Sequence, residues 1–187
     1  MIAARSTGWS APPPVLAWIG VGANRGRALS VCHRAVARLS RHARLRVVVQ
    51  SSFYRTEPVG PIHQPWYMNG VVGVASHLGP WALLRLLQRV EAAFGRRRHR
   101  ERRWGPRSLD LDLLLYGDRV MRCRGLSLPH PRLHQRRFVL RPLAEVAPLL
   151  RHPLFGKTVD TMLQEVDDTA RVTPLPGSWH RLSCGKR

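Results

Sequence analysis

The sequence predicts an α+β fold in which helices pack on a ferredoxin-like antiparallel sheet. Segments with the periodicity of strands and helices follow one another as strand–helix–strand–strand–helix–strand, which is the split βαβ pattern of such folds. The chain has 187 residues, of which 44% are hydrophobic and 22% are charged, as expected for one globular domain with a sizeable core. No apolar stretch approaches the ~20 residues that cross a bilayer, so we expect no membrane attachment.

The chain begins with a segment that we expect to be flexible. Residues 1–14 have no hydrophobic run of the secretory type, and they end in three consecutive prolines. An apolar strand is predicted over 15–21, and the glycines within 20–26 predict a tight turn after it. Apolar residues then recur at helical spacing over 27–42, which predicts the first helix.

Two strands and a second helix follow. The strands are predicted over about 44–55 and 67–76. The interval 56–66 contains three prolines and a glycine, so it predicts a long irregular loop, and loops of this length usually carry function. A stripe of apolar residues predicts a helix over 80–94, and Gly95 is placed to end it.

An arginine-rich loop and a further strand come next. Six arginines lie within 96–103 with Glu101 as the single acid, so mutual repulsion predicts a loop that stays mobile until a polyanion binds. After the strand we predict a short hairpin around Gly117–Asp118, a stiff turn at 126–131 and a helix near 158–166. The expected domain covers 15–168, and residues 169–187 are expected to form a loosely attached basic tail.

The most informative motif is an acid pair on the strand that follows the arginine-rich loop. Leu109, Leu111 and Leu113 alternate with Asp110 and Asp112, so the leucines share one face and the carboxylates the other. Two such carboxylates lie ~6.6 Å apart, and at an effective dielectric of about 20 their repulsion is roughly 2.5 kcal/mol. A hard divalent cation, Mg²⁺ above all, would keep both ionised. The alternative is an ordinary acid pair on the solvent face of an edge strand.

A fixed cation stands beside this acid pair. Arg107 precedes the strand, and its guanidinium suits a phosphate oxygen. Metal-binding acids next to an arginine indicate phosphoryl chemistry. We therefore favour the metal site over the alternative.

Charge and cysteine content bear on partners and compartment. The net charge is +20, but only two of the 31 basic residues are lysines, which is typical of a GC-rich coding bias rather than of selection for polyanion binding. A basic RNA-binding module on a ferredoxin-like sheet is nevertheless an alternative. The cysteines at 32, 123 and 184 are few and widely spaced, so we expect free thiols in a reducing cytoplasm.

Five separated blocks resemble the hydroxymethyldihydropterin pyrophosphokinase family, and the resemblance runs from about Trp18 to Pro148. The blocks occur in the family's order and at sensible intervals. They are Gly20–Asn24, Ser51–Gly60, Tyr67–Asn69, Trp104–Leu115 and Leu128–Pro131. The resemblance implies a three-layer α-β-α architecture. It also implies an ATP-dependent transfer of diphosphate to 6-hydroxymethyl-7,8-dihydropterin in folate synthesis.

The resemblance also implies roles for individual residues. Asp110 and Asp112 would hold two Mg²⁺ ions that bridge the ATP phosphates, and Arg98 and Arg107 would join them as catalytic residues. The positions implied to contact ATP are Gln88, Glu91, Arg98, Trp104, Arg107, Ser127, His130 and Arg136. The positions implied to contact the pterin are Thr56, Pro58, Val59, Tyr67, Asn69, Trp104 and Phe138.

The residue types agree with these implied roles. Tyr67 and Phe138 can stack on a flat bicyclic ring, and Asn69 offers both a donor and an acceptor to its amide edge. Without the resemblance, the two aromatics would be read as core residues, His130 as a turn residue, and Gln88 and Glu91 as solvated.

We expect a cytoplasmic monomer with ATP and the pterin as its partners and no nucleic acid. The arginine-rich loop is expected to close over ATP. Gly125 and Pro131 depart from the residues that many members have there, which predicts weaker ATP binding. A degenerate, non-catalytic relative is therefore a further alternative.

Overall fold

The structure is a computed structural model that describes residues 12–58, 60, 62–97 and 105–177. The strands are β1 (Val15–Ala23), β2 (Leu45–Gln50), β3 (Tyr54–Thr56), β4 (Tyr67–Ser76), β5 (Asp110–Tyr116), β6 (Met121–Cys123), β7 (Leu126–Leu128) and β8 (Val172–Pro174). The helices are α1 (Ala28–Ser40), α2 (Pro80–Ala93), α3 (Arg137–Val146) and α4 (Val159–Glu165), with a 3-10 turn at Leu133–Gln135. Among the described residues, no helix is both long enough and apolar enough to cross a membrane.

One antiparallel sheet organises the molecule. Its strand order is β5-β1-β4-β3-β8, and β2 pairs with the part of β4 that β3 leaves open. Strands β6 and β7 form a separate hairpin. The order of elements from β1 to β5 confirms the predicted split βαβ pattern and the α+β fold.

The sheet separates two apolar layers, and this confirms the three-layer architecture. Apolar side chains of α1 and α2, such as Leu39 and Leu87, pack with Ile19 on one face of the sheet. Side chains of α3 and α4, such as Leu140, pack with Trp18 on the opposite face. Both clusters are buried from solvent, so hydrophobic burial stabilises each face of the sheet independently.

The predicted strand over 44–55 is interrupted in the structure. Strands β2 and β3 are separated at residues 51–53, where the ring of Phe53 crosses the backbone of β4 at Gly70. A Cβ at Gly70 would lie 2.8 Å from that ring, so only glycine permits this close approach. The N–H of Ser51 still donates to the carbonyl of Val71, at 2.9 Å, which keeps the interruption short.

The predicted glycine-rich turn is wrong in its first half. Gly20 and Gly22 belong to β1, which continues to Ala23, and the chain bends only at 25–27. By contrast, Gly95 ends α2 as predicted, with φ +84° and its N–H donating to the carbonyl of Ala92. The glycines of β1 therefore lie in the middle of the sheet, where they leave its surface without side chains.

The leucine alternation of β5 changes phase before the strand ends. Leu113 pairs with Ile19, but Leu115 pairs with Trp18, so Leu114 forms a bulge between them. Leu115 consequently joins the cluster beneath α3 and α4, opposite to the face of Leu111 and Leu113. Asp110 and Asp112 precede the bulge, so their side chains lie opposite to Leu111 and Leu113, as predicted. This is the side of the sheet on which α3 packs.

Two predictions about the second half of the chain need correction. The hairpin is formed by β6 and β7 around Arg124–Gly125, whereas Gly117–Asp118 only turns the chain out of β5. The segment after 168 is not loosely attached throughout, because β8 pairs with β3 and completes one edge of the sheet. Strand β8 could not be predicted, because it has only three residues and these are too few to show a periodic pattern.

Candidate active site

A cavity of about 610 Å³ opens between the sheet and the N-terminal end of α3. Its lining includes eight of the residues predicted from the sequence to bind the nucleotide, the metal or the pterin. They are Thr56, Tyr67, Asn69, Arg107, Asp110, Asp112, Arg136 and Phe138. Residues from β3, β4, β5 and α3 thus meet in one place, although they lie up to 82 positions apart (56 to 138) in the chain.

Glycines of β1 form the floor of this cavity. Gly22 pairs with Asn69 on one side and with Asp110 on the other, and Gly20 pairs with Asp112. A Cβ on Gly22 would lie only 2.4 Å from Oδ1 of Asn69. The missing side chains therefore leave the space between the amide of Asn69 and the two carboxylates open.

Asp110 and Asp112 of β5 are two of the four acids among the described residues of the cavity lining, the others being Glu57 and Asp168. Burial, and then the charge of Asp110, raise the pKa of Asp112 to about 7, and the nearby guanidiniums of Arg136 and Arg96 oppose this rise. Nη1 of Arg136 lies 3.5 Å from Oδ2 of Asp112. Arg96 contacts the carboxylates of both Asp110 and Glu91. The raised pKa indicates that the nearby guanidiniums do not fully compensate the negative charge of two ionised carboxylates at this site.

The donor set of this pair fits a hard divalent cation. Both side chains are about one-third exposed, at 32% and 36%, and both line the cavity. Among residues 12–58, 60, 62–97 and 105–177, no cluster of three or more His, Cys, Asp or Glu could hold a metal. A cation here would therefore take its remaining ligands from phosphate oxygens and water, as Mg²⁺ does in phosphoryl-transfer sites.

Asn24 fixes the segment that carries Arg107. Its Oδ1 accepts the N–H of Arg107 at 2.7 Å, and its own N–H donates to the carbonyl of Arg107 at 3.0 Å. Its Nδ2 donates to Oε1 of Gln64 and to the carbonyl of Pro65, each at 3.0 Å. Asn24 is 3% exposed, so this buried amide joins the loop before β4 to the segment before β5.

The other end of the cavity has the residues suited to a flat heterocycle. Nδ2 of Asn69 donates to Oγ1 of Thr56 at 2.6 Å, and both residues are buried. The hydroxyl of Tyr67 donates to the carbonyl of Gly105 at 3.1 Å. The guanidinium carbon of Arg136 lies 5.4 Å from the centre of the Phe138 ring. Polar amide groups and aromatic faces are thus presented together.

His130 lies near this cavity but does not line it. Burial lowers its pKa to about 4, and the charge of Arg136 acts in the same direction, so the ring is neutral at pH 7. Its Nδ1 accepts the N–H of Arg132 at 3.2 Å, which places the ring proton on Nε2. The backbone N–H of His130 donates to the carbonyl of Leu114 and ties this turn to β5.

Other predicted residues lie away from the cavity lining. Gln88 lines a separate groove on α2, together with His42 and Arg85. Glu91 is buried beneath β5, where its Oε1 accepts the N–H of Leu111 at 2.8 Å. Ser127 lies on β7, and Pro58 is half-buried beside the cavity. Three predicted residues, Val59, Arg98 and Trp104, fall outside the described residues.

The structure adds residues that the sequence did not identify. Arg132 and Gln135 line the cavity from the turn before α3, and Asp168 lines it from the segment after α4. Arg132 and Gln135 lie within four residues of Arg136, a predicted ATP contact, so their closeness to it in the sequence was a usable signal. Asp168 had no such signal, because it lies in an aperiodic segment far along the chain.

Comparison with known proteins points to one family. The sequence model of 7,8-dihydro-6-hydroxymethylpterin-pyrophosphokinase matches residues 18–148. The 2-amino-4-hydroxy-6-hydroxymethyldihydropteridine pyrophosphokinase of Synechocystis is 44% identical over 159 residues, which is 85% of this chain and 80% of that protein. The protein of the same name from Bacillus subtilis is 43% identical over 131 residues, 70% of this chain and 77% of its own length.

Solved structures agree at the level of the fold. The crystal structure of wild-type Plasmodium falciparum HPPK-DHPS superposes with a TM-score of 0.66 over 83% of this chain, at 12% identity. This chain spans 43% of the length of that one. The family match covers every element lining the cavity except the Asp168 segment. The chain belongs to the 7,8-dihydro-6-hydroxymethylpterin-pyrophosphokinase family.

Proposed function

We propose that this protein transfers diphosphate from ATP to 6-hydroxymethyl-7,8-dihydropterin, giving AMP and the pterin diphosphate, a step of folate synthesis. The observation that carries the proposal is the single cavity in which the acid pair of β5 faces Asn69 and Phe138 across a floor of glycine. One end of this cavity suits a metal-bound polyphosphate, and the other suits a flat heterocycle.

The nucleotide would occupy the end of the cavity near the acid pair. Asp110 and Asp112 would hold Mg²⁺, two ions when ATP is bound, and the metal would neutralise charge that develops on the transferred group. Arg107 and Arg136 line the same end and are suited to phosphate oxygens. Neutral His130, with its proton on Nε2, can donate a hydrogen bond to the nucleotide.

The remaining predicted nucleotide contacts are proposed on the resemblance. Gln88 and Ser127 would have to reach ATP from outside the described cavity. Arg98 and Trp104 would join it from the arginine-rich loop. Glu91 has a different role in our proposal, because its carboxylate already holds the backbone of Leu111 and the guanidinium of Arg96. We therefore assign it to positioning β5.

The pterin would occupy the end near β3, β4 and α3. Asn69 and Thr56 would hydrogen-bond its amide edge, and Tyr67 and Phe138 would contact its ring faces. Pro58, Val59 and Trp104 are proposed as further contacts on the resemblance. The pterin hydroxyl would then lie between the two ends, over Gly20 and Gly22.

The reaction that fits this arrangement is an in-line displacement. The pterin hydroxyl oxygen bonds to the β-phosphorus, the bond from that phosphorus to the α–β bridging oxygen breaks, and AMP leaves with that oxygen. The hydroxyl proton passes to the medium. The arginines of the cavity lining contribute by positioning the phosphates and by neutralising charge, which supply most of the rate in phosphoryl transfer.

We also propose that the protein acts as a cytoplasmic monomer without a nucleic-acid partner. The described cysteines, Cys32 and Cys123, are free thiols, as is usual in a reducing compartment. RNA-binding sheets stack bases on exposed aromatics of their strands. On the described strands Trp18, Tyr54 and Tyr116 are buried, and the half-buried Tyr67 lies in the cavity rather than on an open sheet face, which favours the enzyme over the RNA-binding alternative.

The function is tested by measuring AMP. Purified protein with ATP, Mg²⁺ and 6-hydroxymethyl-7,8-dihydropterin should form AMP and pterin diphosphate in equal amounts, and chelation of the metal should stop the reaction. Reactions without the pterin are the control, and they should form no AMP. A protein that binds both ligands but forms no AMP would be the non-catalytic relative, and AMP formed without pterin would indicate a different acceptor.

Phe138→Ala is expected to weaken pterin binding by about tenfold and to leave the Kd of a non-hydrolysable ATP analogue nearly unchanged. Loss of an aromatic face removes roughly 1–1.5 kcal/mol from a stacked ring, which corresponds to that factor. Isothermal titration with each ligand measures both effects. Phe155→Ala, which changes an exposed phenylalanine outside the cavity lining, is the matched control. Equal weakening of both ligands would contradict the assignment of Phe138 to the pterin end.

A further inference from the structure

The segment at 167–175, which we call the C-terminal strap, lies beyond the part of the chain that the family's sequence model matches. It crosses the pterin end of the cavity and contains Asp168 and β8. We propose that the strap positions this end of the cavity, with Asp168 as its principal positioning residue. The inference rests on the proposed function, because it assigns a role in pterin binding.

Asp168 holds the N-terminal end of α3. Its Oδ2 accepts the backbone N–H of Arg137 at 2.9 Å, and its carbonyl accepts Nε of the same arginine at 2.6 Å. The side chain of Arg136, at the N-cap position, makes no capping hydrogen bond. Asp168 therefore supplies from a distant segment the acceptor and the negative charge that the first turn of a helix lacks.

This end of α3 carries two residues of the cavity. Arg136 and Phe138 flank Arg137 in the chain, and both line the cavity. Because Asp168 is bonded to the residue between them, any shift of its carboxylate moves the first turn of α3. Oδ1 of Asp168 also accepts the N–H of Ala170 at 3.0 Å, which fixes the carboxylate within the strap.

The other end of the strap holds the loop that follows β3. The N–H of Glu57 donates to the carbonyl of Arg171 at 3.0 Å, and the N–H of Arg171 donates to Oε2 of Glu57 at 3.2 Å. The guanidinium carbons of Arg171 and Arg55 lie 5.1 and 4.7 Å from the Trp66 ring centre. Since Trp66 precedes β4, the strap joins both ends of the loop at 57–66.

The strap thus connects two walls of the cavity. Glu57 and Thr56 lie on one wall and Phe138 on the other, and Asp168 lies in the lining with them. The acid pair of β5 is held separately, by Glu91 and by pairing with β1. Loosening the strap should consequently impair pterin binding most, and nucleotide binding to a smaller extent, through Arg136 alone.

The test compares Asp168→Ala, Asp168→Asn and the control Asp167→Ala, which removes the same charge from the adjacent exposed residue. In Asp168→Ala we expect the Kd and KM for the pterin to rise by about tenfold, since displacements near 1 Å cost at least that much. The Kd of an ATP analogue should rise less, by about two- to threefold through the shift of Arg136, and kcat at saturating pterin should change by a similar factor. Asp168→Asn keeps an acceptor oxygen and should recover most of the affinity.

Hydrogen exchange provides a second readout that does not depend on activity. In Asp168→Ala, amides at 137–141 should exchange faster, whereas those of α1 should not. Equal loss of pterin and nucleotide binding, or pterin binding unchanged in Asp168→Ala, would overturn the inference. If Asp168→Ala does not fold, hydrogen exchange in Asp168→Asn decides the inference, because loss of the charge alone should speed exchange at 137–141 and leave α1 unchanged. Wild-type protein that fails to bind the pterin would instead overturn the proposed function itself, and the inference with it.

Discussion

Asp112→Asn is expected to lower turnover by at least about 1,000-fold, because loss of a metal-holding carboxylate removes several kcal/mol of charge stabilisation from the transition state. The same change should make the protein more stable at and above neutral pH. Burial and the charge of Asp110 raise the pKa of Asp112 from 3.8 to about 7 in the folded state. The folded state therefore holds this proton more tightly than the unfolded state does.

The sign of the pH dependence follows from that difference. Between about pH 3.8 and pH 7, the folded protein keeps a proton on Asp112 that the unfolded chain has lost, so this residue's contribution to stability falls as the pH rises. Because asparagine does not ionise, the free energy of unfolding of Asp112→Asn should not show this residue's decline as the pH rises. The gain in stability over wild type should accordingly be larger at pH 8 than at pH 5.

Steady-state AMP formation and thermal unfolding at the two pH values measure both effects. Asp118→Asn, at an exposed turn just after β5, is the matched control and should change neither. Asp110→Asn should share the loss of turnover. Full activity in Asp110→Asn or Asp112→Asn would contradict the metal assignment. A Tm difference between Asp112→Asn and wild type that does not depend on pH would contradict the raised pKa of Asp112.

Gly22→Ala is expected to weaken pterin binding by about 10- to 100-fold and to spare ATP binding. The new Cβ would lie 2.4 Å from Oδ1 of Asn69, so the amide must move. Its hydrogen bond to Thr56, at 2.6 Å, would be lost with it. A buried polar group left without its partner costs about 1–3 kcal/mol, which gives the expected range.

Gly20→Ala provides a closely matched control. It places the same methyl group on the same face of β1, two residues away, where the nearest atoms are Leu114 methyl carbons at an ordinary 3.6 Å. We expect this variant to bind the pterin within about fivefold of wild type, well below the cost of an unpaired buried group. Calorimetric titration of both variants with both ligands compares them, and equal losses would show that the amide of Asn69 is not the cause.

Much of the fold was predictable because its signals are local. The apolar stripe of α2, the glycine that ends it, and the alternation of β5 each specify an element within a window of about fifteen residues. The interruption between β2 and β3 was not predictable, because it arises where Phe53 crosses Gly70, seventeen residues further along the chain. The bulge at Leu114 likewise depends on pairing with β1 and has no local signature.

The site shows the same division. The sequence motif around Asp110 and Asp112, and the resemblance built on it, identified eight residues that the cavity brings together. Glu91 was predicted to contact ATP, yet the structure buries it against the backbone of β5. A carboxylate's sequence position does not reveal whether it faces a ligand or an N–H group. Asp168 escaped notice because its partner, Arg137, lies 31 residues away.

The sheet places the larger apolar cluster, beneath α1 and α2, on the side opposite to the ligand cavity. Substitutions in this chain should consequently have one of two effects, a loss of stability or a loss of turnover. A truncation in that cluster, such as Leu87→Ala, would lower the free energy of unfolding by about 2–5 kcal/mol. The protein would then unfold more readily, but each folded molecule would keep its normal turnover. Substitutions of residues that line the cavity would instead leave abundant protein with slow turnover.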